Sequence, residues 1–293
     1  MVAGVRRRVV GLLASVAIVA VFVRVGAAAQ DIRADQTVTR LGEYVARYYE
    51  RAQSLMADEA VAVQPLDRDL SALGFPRRLL YELRLEWNPF AIGDESPATI
   101  TRQLVAVNGK PPRPGDEPKC LDPKGVSPEP LAFLLPDRRH EFTFKSGGLS
   151  RVDGRAALLV EYRSLKTDPP TAEGDKDCIS FNIPGRSRGR VWADPETAEI
   201  VRFDEQLTGI VDIRSPAAQL RKVGSPLYWT IERADTSIVY RRVAFQDPEE
   251  TLVLPSRVEA VTVIRGEGSV QRMRITQTLT NYRRFITGSR IVQ

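Results

Sequence analysis

Apolar and polar residues alternate one by one through most of this chain, and that period of two commits it to sheet. The stretch from Gly189 to Gly209 shows it well, reading G-R-V-W-A-D-P-E-T-A-E-I-V-R-F-D-E-Q-L-T-G. Pro195 presets φ for a turn, and Asp194 can bond the backbone ahead of it. After the turn Val201, Phe203 and Leu207 alternate with Arg202, Asp204 and Gln206, so one face is predicted inward and the other in water. The spacing predicts a central antiparallel hairpin.

The same pattern recurs on both sides. Tyr81, Leu83, Leu85 and Trp87 alternate with Glu82, Arg84, Glu86 and Asn88, the mark of a half-buried antiparallel strand. Thr99 to Val107 is a second strand, ended by Asn108-Gly109. Phe142 and Phe144 begin another, which Gly147-Gly148 is expected to break. Val152 and Ala156 to Tyr162 flank Asp153-Gly154, a two-residue hairpin signal. Trp229–Arg233, Ser237–Phe245, Leu252–Arg265 and Ser269–Arg284 all alternate. That makes about ten strands, and the short turns between them require antiparallel pairing. Ala60 to Val63 is a short apolar segment that could be the first strand. Pro130 to Leu135 and Ser215 to Gly224 read as connections with a helical turn.

One segment keeps a different period. Val38, Leu41, Val45, Tyr48, Tyr49, Ala52, Leu55 and Met56 recur at helical spacing, with Arg40, Glu43, Arg47, Glu50 and Arg51 opposite. An amphipathic helix over 38–56 is predicted, and the fold class is α+β, mainly antiparallel β.

Residues 1–29 read as a secretory signal peptide. Arg6-Arg7-Arg8 precedes an apolar run from Val9 to Val23, and Ala27 and Ala29 fit the small-residue cleavage pattern. Arg24 keeps the run too short for a membrane span, and no Cys lies near the cut to take a lipid. Residues 30–293 are then one domain, addressed to the periplasm or secreted. The segment removed holds four Arg and no acid. Of 42 basic residues 38 remain against 37 acidic ones, so the basic character of the whole chain comes largely from the leader. Nucleic-acid binding, which needs a concentrated cationic surface, loses its support. Cys120 and Cys178 are the only cysteines, and in an exported protein they most simply form one disulfide. It would close a loop of roughly 58 residues, worth on the order of 4 kcal/mol in the chain-entropy model. It would also staple a proline-rich excursion at about 110–140.

No catalytic motif is present. His140 is the single histidine, and no Cys, His, Asp and Glu spacing matches a metal site. No nucleophile elbow or phosphate-binding loop occurs. Asp194, Glu196, Asp204 and Glu205 are available carboxylates, yet nothing singles out a glycosidase pair, and turn chemistry accounts for Asp194 and Glu196. No cofactor is expected. Trp87, Trp192 and Trp229 belong to strands, where they either pack the core or line an apolar groove.

The helix Val38–Met56, the strand Tyr81–Trp87 and the hairpin from Val191 through Leu207 together resemble the LolA/LolB/LppX-like periplasmic lipoprotein- and lipid-carrier superfamily. The resemblance is architectural and spans most of residues 30–293. It implies a strongly curved half-barrel sheet wrapped around the N-terminal helix, with an apolar cavity between them. Leu83, Leu85, Trp87, Trp192, Val201, Phe203 and Trp229 would be its lining. The activity implied is holding an acyl chain, a lipid or a lipidated protein, as a monomer in peripheral contact with the envelope. The alternative is a structural or interaction module of the envelope with a filled core and no ligand.

Overall fold

A computed structural model of the chain describes residues 35–52, 54–87, 98–116, 130–165, 167–173, 179–221 and 225–284. The expected signal peptide, Cys120 and Cys178 lie outside the described residues, as does the Trp87 side chain. Among these residues no helix is long and apolar enough to cross a membrane.

Helix α1 covers 35–51. Thirteen strands follow among the described residues. They are β1 (Ser54–Pro65), β2 (Arg77–Trp87), β3 (Ala98–Val107), β4 (Phe142–Val152), β5 (Arg155–Ser164), β6 (Thr171–Glu173) and β7 (Ser180–Asn182), then β8 (Ser187–Ala193), β9 (Ile200–Leu207), β10 (Val211–Arg214), β11 (Tyr228–Gln246), β12 (Glu249–Gly266) and β13 (Ser269–Arg284). A 3₁₀ turn spans Leu131–Leu134, and the short helix α2 covers Ala217–Leu220. Eleven strands form one open antiparallel sheet in the order β3-β2-β1-β13-β12-β11-β9-β8-β5-β4, with β10 also on β11, while β6 and β7 make a separate pair.

The first and last of the described strands meet in this sheet. β1 lies between β2 and β13, in continuous register with β2 and with one register shift against β13 between Met56 and Asp58. The β8–β9 hairpin forms as its turn signals predict, but it sits toward the β4 edge rather than at the centre. At the β4–β5 turn Asp153 and Gly154 both take positive φ, 49° and 80°, the left-handed pair that Asp-Gly supplies.

Three expectations shift. Leu55 and Met56 belong to β1, not to the helix, which ends at Arg51. Leu55 fits either period, and sheet pairing to Leu85 decides it. Gly147-Gly148 does not break β4, because the strand absorbs an extra residue as a bulge between Ser146 and Gly148. Trp229–Arg233 and Ser237–Phe245 are one 19-residue strand, β11, whose alternation is interrupted by a bulge between Ile231 and Arg233.

The core lies between α1 and one face of the sheet. Val38, Leu41, Val45, Tyr48, Tyr49 and Ala52 of α1 are buried against Leu55, Leu83, Leu85, Val160, Val191, Phe203, Ile238, Leu254 and Leu279. The turn at Leu131–Leu134 closes the side of this core, with the Phe133 ring 4.3 Å from Tyr162 and 5.9 Å from Phe203. The approach is close enough to require glycine on the helix. A Cβ at Gly42 would stand 2.6 Å from the Leu134 carbonyl oxygen. At the ends, Arg40 donates to the carbonyls of Pro195 and Glu196 in the β8–β9 turn, and Arg51 pairs with Glu250 at 2.9 Å at the start of β12. A further apolar cluster gathers Val211, Ile213 and Ile231, with Ala172, Phe181 and Ile183 of the β6–β7 region packed on it.

Candidate functional site

The expected cavity residues divide between locations. Leu83 and Leu85 face α1 and are 2% and 4% exposed, and Phe203 is fully buried in the same core. The gap beside the two leucines, enclosed by Tyr48, Leu55, Ala57, Leu254 and Tyr282, holds only about 10 Å³. That is at the lower limit of what one water needs. Trp192 points to the other face of the sheet, where the guanidiniums of Arg190 and Arg202 lie 5.7 Å and 5.3 Å from its ring. Val201 is the extra residue of a bulge, since Trp192 pairs with Arg202 and Ala193 with Ile200. Trp229 lies far along β11, edge-on to Phe181 at 6.0 Å. Trp192, Phe203 and Trp229 therefore do not line one surface.

The helix-side face carries two polar groups that alternation alone does not reveal. The first is Glu59 of β1, whose side chain is 0% exposed. Its carboxylate accepts from Arg102 Nε at 2.6 Å, Arg102 Nη2 at 3.0 Å and Gln277 Nε2 at 2.6 Å. This bidentate pair stands between the α1-covered core and the cluster of Val61, Val63, Leu79, Tyr81 and Ile275. The only sequence signal was an acidic residue in the inward phase of a strand.

The second is Glu205 of β9. Tyr162 donates its hydroxyl to the Glu205 carboxylate at 2.7 Å. Burial pushes the Glu205 carboxyl above its usual range, opposed by the hydrogen bonds from Tyr162 and Ser187. Burial first, then the charge of Glu205, pushes the Tyr162 hydroxyl upward as well. Gly189 makes this contact possible, because a Cβ there would lie 2.6 Å from the Tyr162 hydroxyl and 2.2 Å from the Asp204 carbonyl oxygen.

The four carboxylates considered for bond-breaking chemistry do not converge. Asp194 accepts from the Glu196 and Thr197 amides at 2.9 Å, as turn chemistry requires. Those backbone bonds, that of Thr197 foremost, hold its carboxyl below the usual range. Asp204 faces away from Glu205 and is held by Arg202 at 2.9 Å and by the Ser237 hydroxyl at 2.7 Å. His140 is exposed in a 3₁₀ turn. Among the described residues no group of three or more His, Cys, Asp or Glu is placed to share a metal ion.

The outer face is different in character. A depression of about 540 Å³ crosses β4, β5, β8 and β9, lined by Thr143, Lys145, Glu161, Arg163, Arg188, Arg190, Asp204 and Gln206. A second, of about 410 Å³, adjoins it through Thr143 and Arg163 and adds Leu165, Arg186 and Thr208. Strand pairing sets Arg163 directly opposite Arg188.

No family model matches this chain, and no curated protein matches it. Among solved structures it is similar to a DUF1329 family protein from Desulfovibrio piger, at 11% identity and TM-score 0.38, covering 87% of this chain and 94% of that one. It is also similar to a putative outer membrane lipoprotein-sorting protein domain from Vibrio parahaemolyticus, at 8% identity and TM-score 0.36, covering 86% and 95%. A third is MucB, solved in complex with MucA(peri), at 11% identity and TM-score 0.22, covering 87% and 100%. Solved structures similar to this chain thus include a lipoprotein-sorting domain, the kind of protein that the sequence resembles. At these scores no residue role, ligand or partner passes across.

Proposed function

We propose that this chain is an exported binding module of the cell envelope, working by docking rather than by making or breaking bonds. Its sheet curls as a half-barrel around α1. Two features support the curl. Twisted open sheets rarely exceed ~10 strands without curling, and the bulges in β3, β4, β9, β11, β12 and β13 each bend their strands. The cluster of Val61, Val63, Leu79, Tyr81 and Ile275 agrees with it. With Leu104, Val107 and Met273 it draws on four neighbouring strands only, and side chains of one layer bury one another when that layer is concave.

The observation that carries the docking reading is the filled space under α1. With about 10 Å³ beside Leu83 and Leu85, the helix itself occupies the place where a carrier would hold its cargo. Leu83→Ala tests this. In a packed site the substitution costs about 2–5 kcal/mol, because a cavity is left behind. A loss below about 1 kcal/mol in urea unfolding would mean that Leu83 already borders open space.

The second reading is a carrier for an acyl chain, a lipid or a lipidated protein. It is favoured by the apolar helix-side face on which Leu83, Leu85 and Phe203 lie. Native mass spectrometry of the protein recovered from exporting cells separates the two. The mass of the polypeptide alone supports the filled module. A bound acyl species, released on denaturation, establishes the carrier.

A further inference from the structure

We propose that the outer-face groove across β4, β5, β8 and β9 is a docking surface for the anionic phospholipid headgroups of a bilayer. The inference is independent of what the helix-side face holds.

One cross-strand pairing on this face should not be stable on its own. Arg163 of β5 and Arg188 of β8 are direct cross-strand neighbours, and like charges placed opposite one another destabilise a sheet. Several guanidiniums elsewhere on the sheet surface are paired, as in Arg202–Asp204, Arg233–Asp235 and Arg265–Glu232. Arg163 and Arg188 are exposed and make no side-chain hydrogen bond or ion pair among the described residues. Their row across the sheet continues to Thr143 on one side and to Gln206 on the other; the next residue beyond Gln206, Asp235 of β11, is already paired with Arg233.

The surroundings extend the same charge. Lys145, Arg186 and Arg190 also line the two depressions, making five cations against the carboxylates of Glu161 and Asp204. Asp204 is already taken by Arg202 and Ser237. In the adjoining depression Arg186 Nε and Thr208 Oγ1 are both buried without a hydrogen-bond partner among the described residues. An oxyanion with several acceptor oxygens would satisfy these donors and relieve the Arg163–Arg188 repulsion together, since guanidinium forks match phosphate geometry.

A bilayer is favoured over a soluble phosphate compound by the shape and the rim. The groove is open and broad, about 540 Å³ with a further 410 Å³ beside it. Leu165, which lines the second depression, is 61% exposed, and cations flanked by an exposed apolar side chain are how peripheral proteins meet an interface. β4 is an edge of the sheet, so the surface can approach without a neighbouring strand in the way.

The test is co-sedimentation of the full chain, recovered from exporting cells, with vesicles of phosphatidylglycerol and phosphatidylcholine and with vesicles of phosphatidylcholine alone. Binding to the anionic vesicles is expected to be tighter and to weaken as salt is raised. Arg163→Gln with Arg188→Gln should lower that affinity about 30-fold, from ~1 kcal/mol for each cation near the surface. Thermal unfolding without vesicles keeps the result interpretable, because removing a like-charge pair should leave Tm unchanged or raised. Equal binding to both vesicle types overturns the proposal. So does an affinity for anionic vesicles that the double substitution leaves unchanged, or capture of inorganic pyrophosphate with no vesicle binding.

Discussion

Replacing Arg102 with Met should strongly destabilise the fold, and the reason can be worked from three contacts. The Glu59 carboxylate is wholly removed from water and accepts two hydrogen bonds from Arg102 and one from Gln277. Arg102→Met takes away the opposite charge and two of those bonds while the carboxylate stays buried. Breaking a buried ion pair from one side costs about 3–5 kcal/mol, because an uncompensated charge remains. At roughly 2–4 °C per kcal/mol for a domain of this size, Tm should fall by about 6–20 °C. Urea unfolding at neutral pH measures the loss directly, and an unchanged m-value shows that the same surface is being exposed. The decisive comparison is the triple substitution Glu59→Leu, Arg102→Met and Gln277→Leu, which removes donors and acceptor together. Apolar replacement of a whole buried ionic group is often neutral or stabilising, so the triple variant should recover most of what Arg102→Met loses. If Arg102→Met costs less than about 1 kcal/mol, or if the triple variant is as weak as the single one, the argument that charge compensation holds this layer is wrong.

Glu205 should make stability depend on pH. Its folded carboxyl is raised above its ordinary value of 4.5 by burial, so its contribution is full below that value and is lost as pH rises through the raised one. The stability of the wild type relative to Glu205→Gln should fall from pH 4 toward neutrality, and a flat difference in urea melts would contradict this. Gly42→Ala should destabilise, although alanine gains about 1 kcal/mol of helix propensity, because its Cβ would meet the Leu134 carbonyl oxygen. A raised Tm would show that α1 has room to move away from the 131–134 turn. The proposed Cys120–Cys178 disulfide predicts no free thiol in the unfolded, unreduced chain and a lower Tm after reduction. Reaction of either cysteine with a thiol reagent under those conditions would remove it.

Much of the architecture could be read from period alone. The helical spacing from Val38 to Ala52 names the residues that α1 buries, and the alternation of Leu83 and Leu85 names a buried face of β2. Pairing information is what the linear pattern lacks. Nothing local shows that Arg163 will stand opposite Arg188, or that β1 will lie against β13, because register is settled only when strands from distant parts of the chain align. Bulges add to the difficulty. Each inserts one residue and flips the phase, so Val201 reads as a partner of Phe203 although Ile200 takes the buried position. Glu59 was missed for a different reason, since a lone acid among alanines and valines looks like a break in a strand until its partners on β3 and β13 are seen.

The meeting of β1 with β13 also bears on timing. Residues 54–65 leave the ribosome early, yet one of their two partners, residues 269–284, is synthesised last among the strands. Until that segment emerges, two partial sheets each wait with an unsatisfied border, and the join between them has the longest sequence separation of the described strand pairings. Assembly dominated by such distant pairings is slow. A polypeptide built this way stays open while it is being made, the condition in which a chain can still be threaded through a translocation pore.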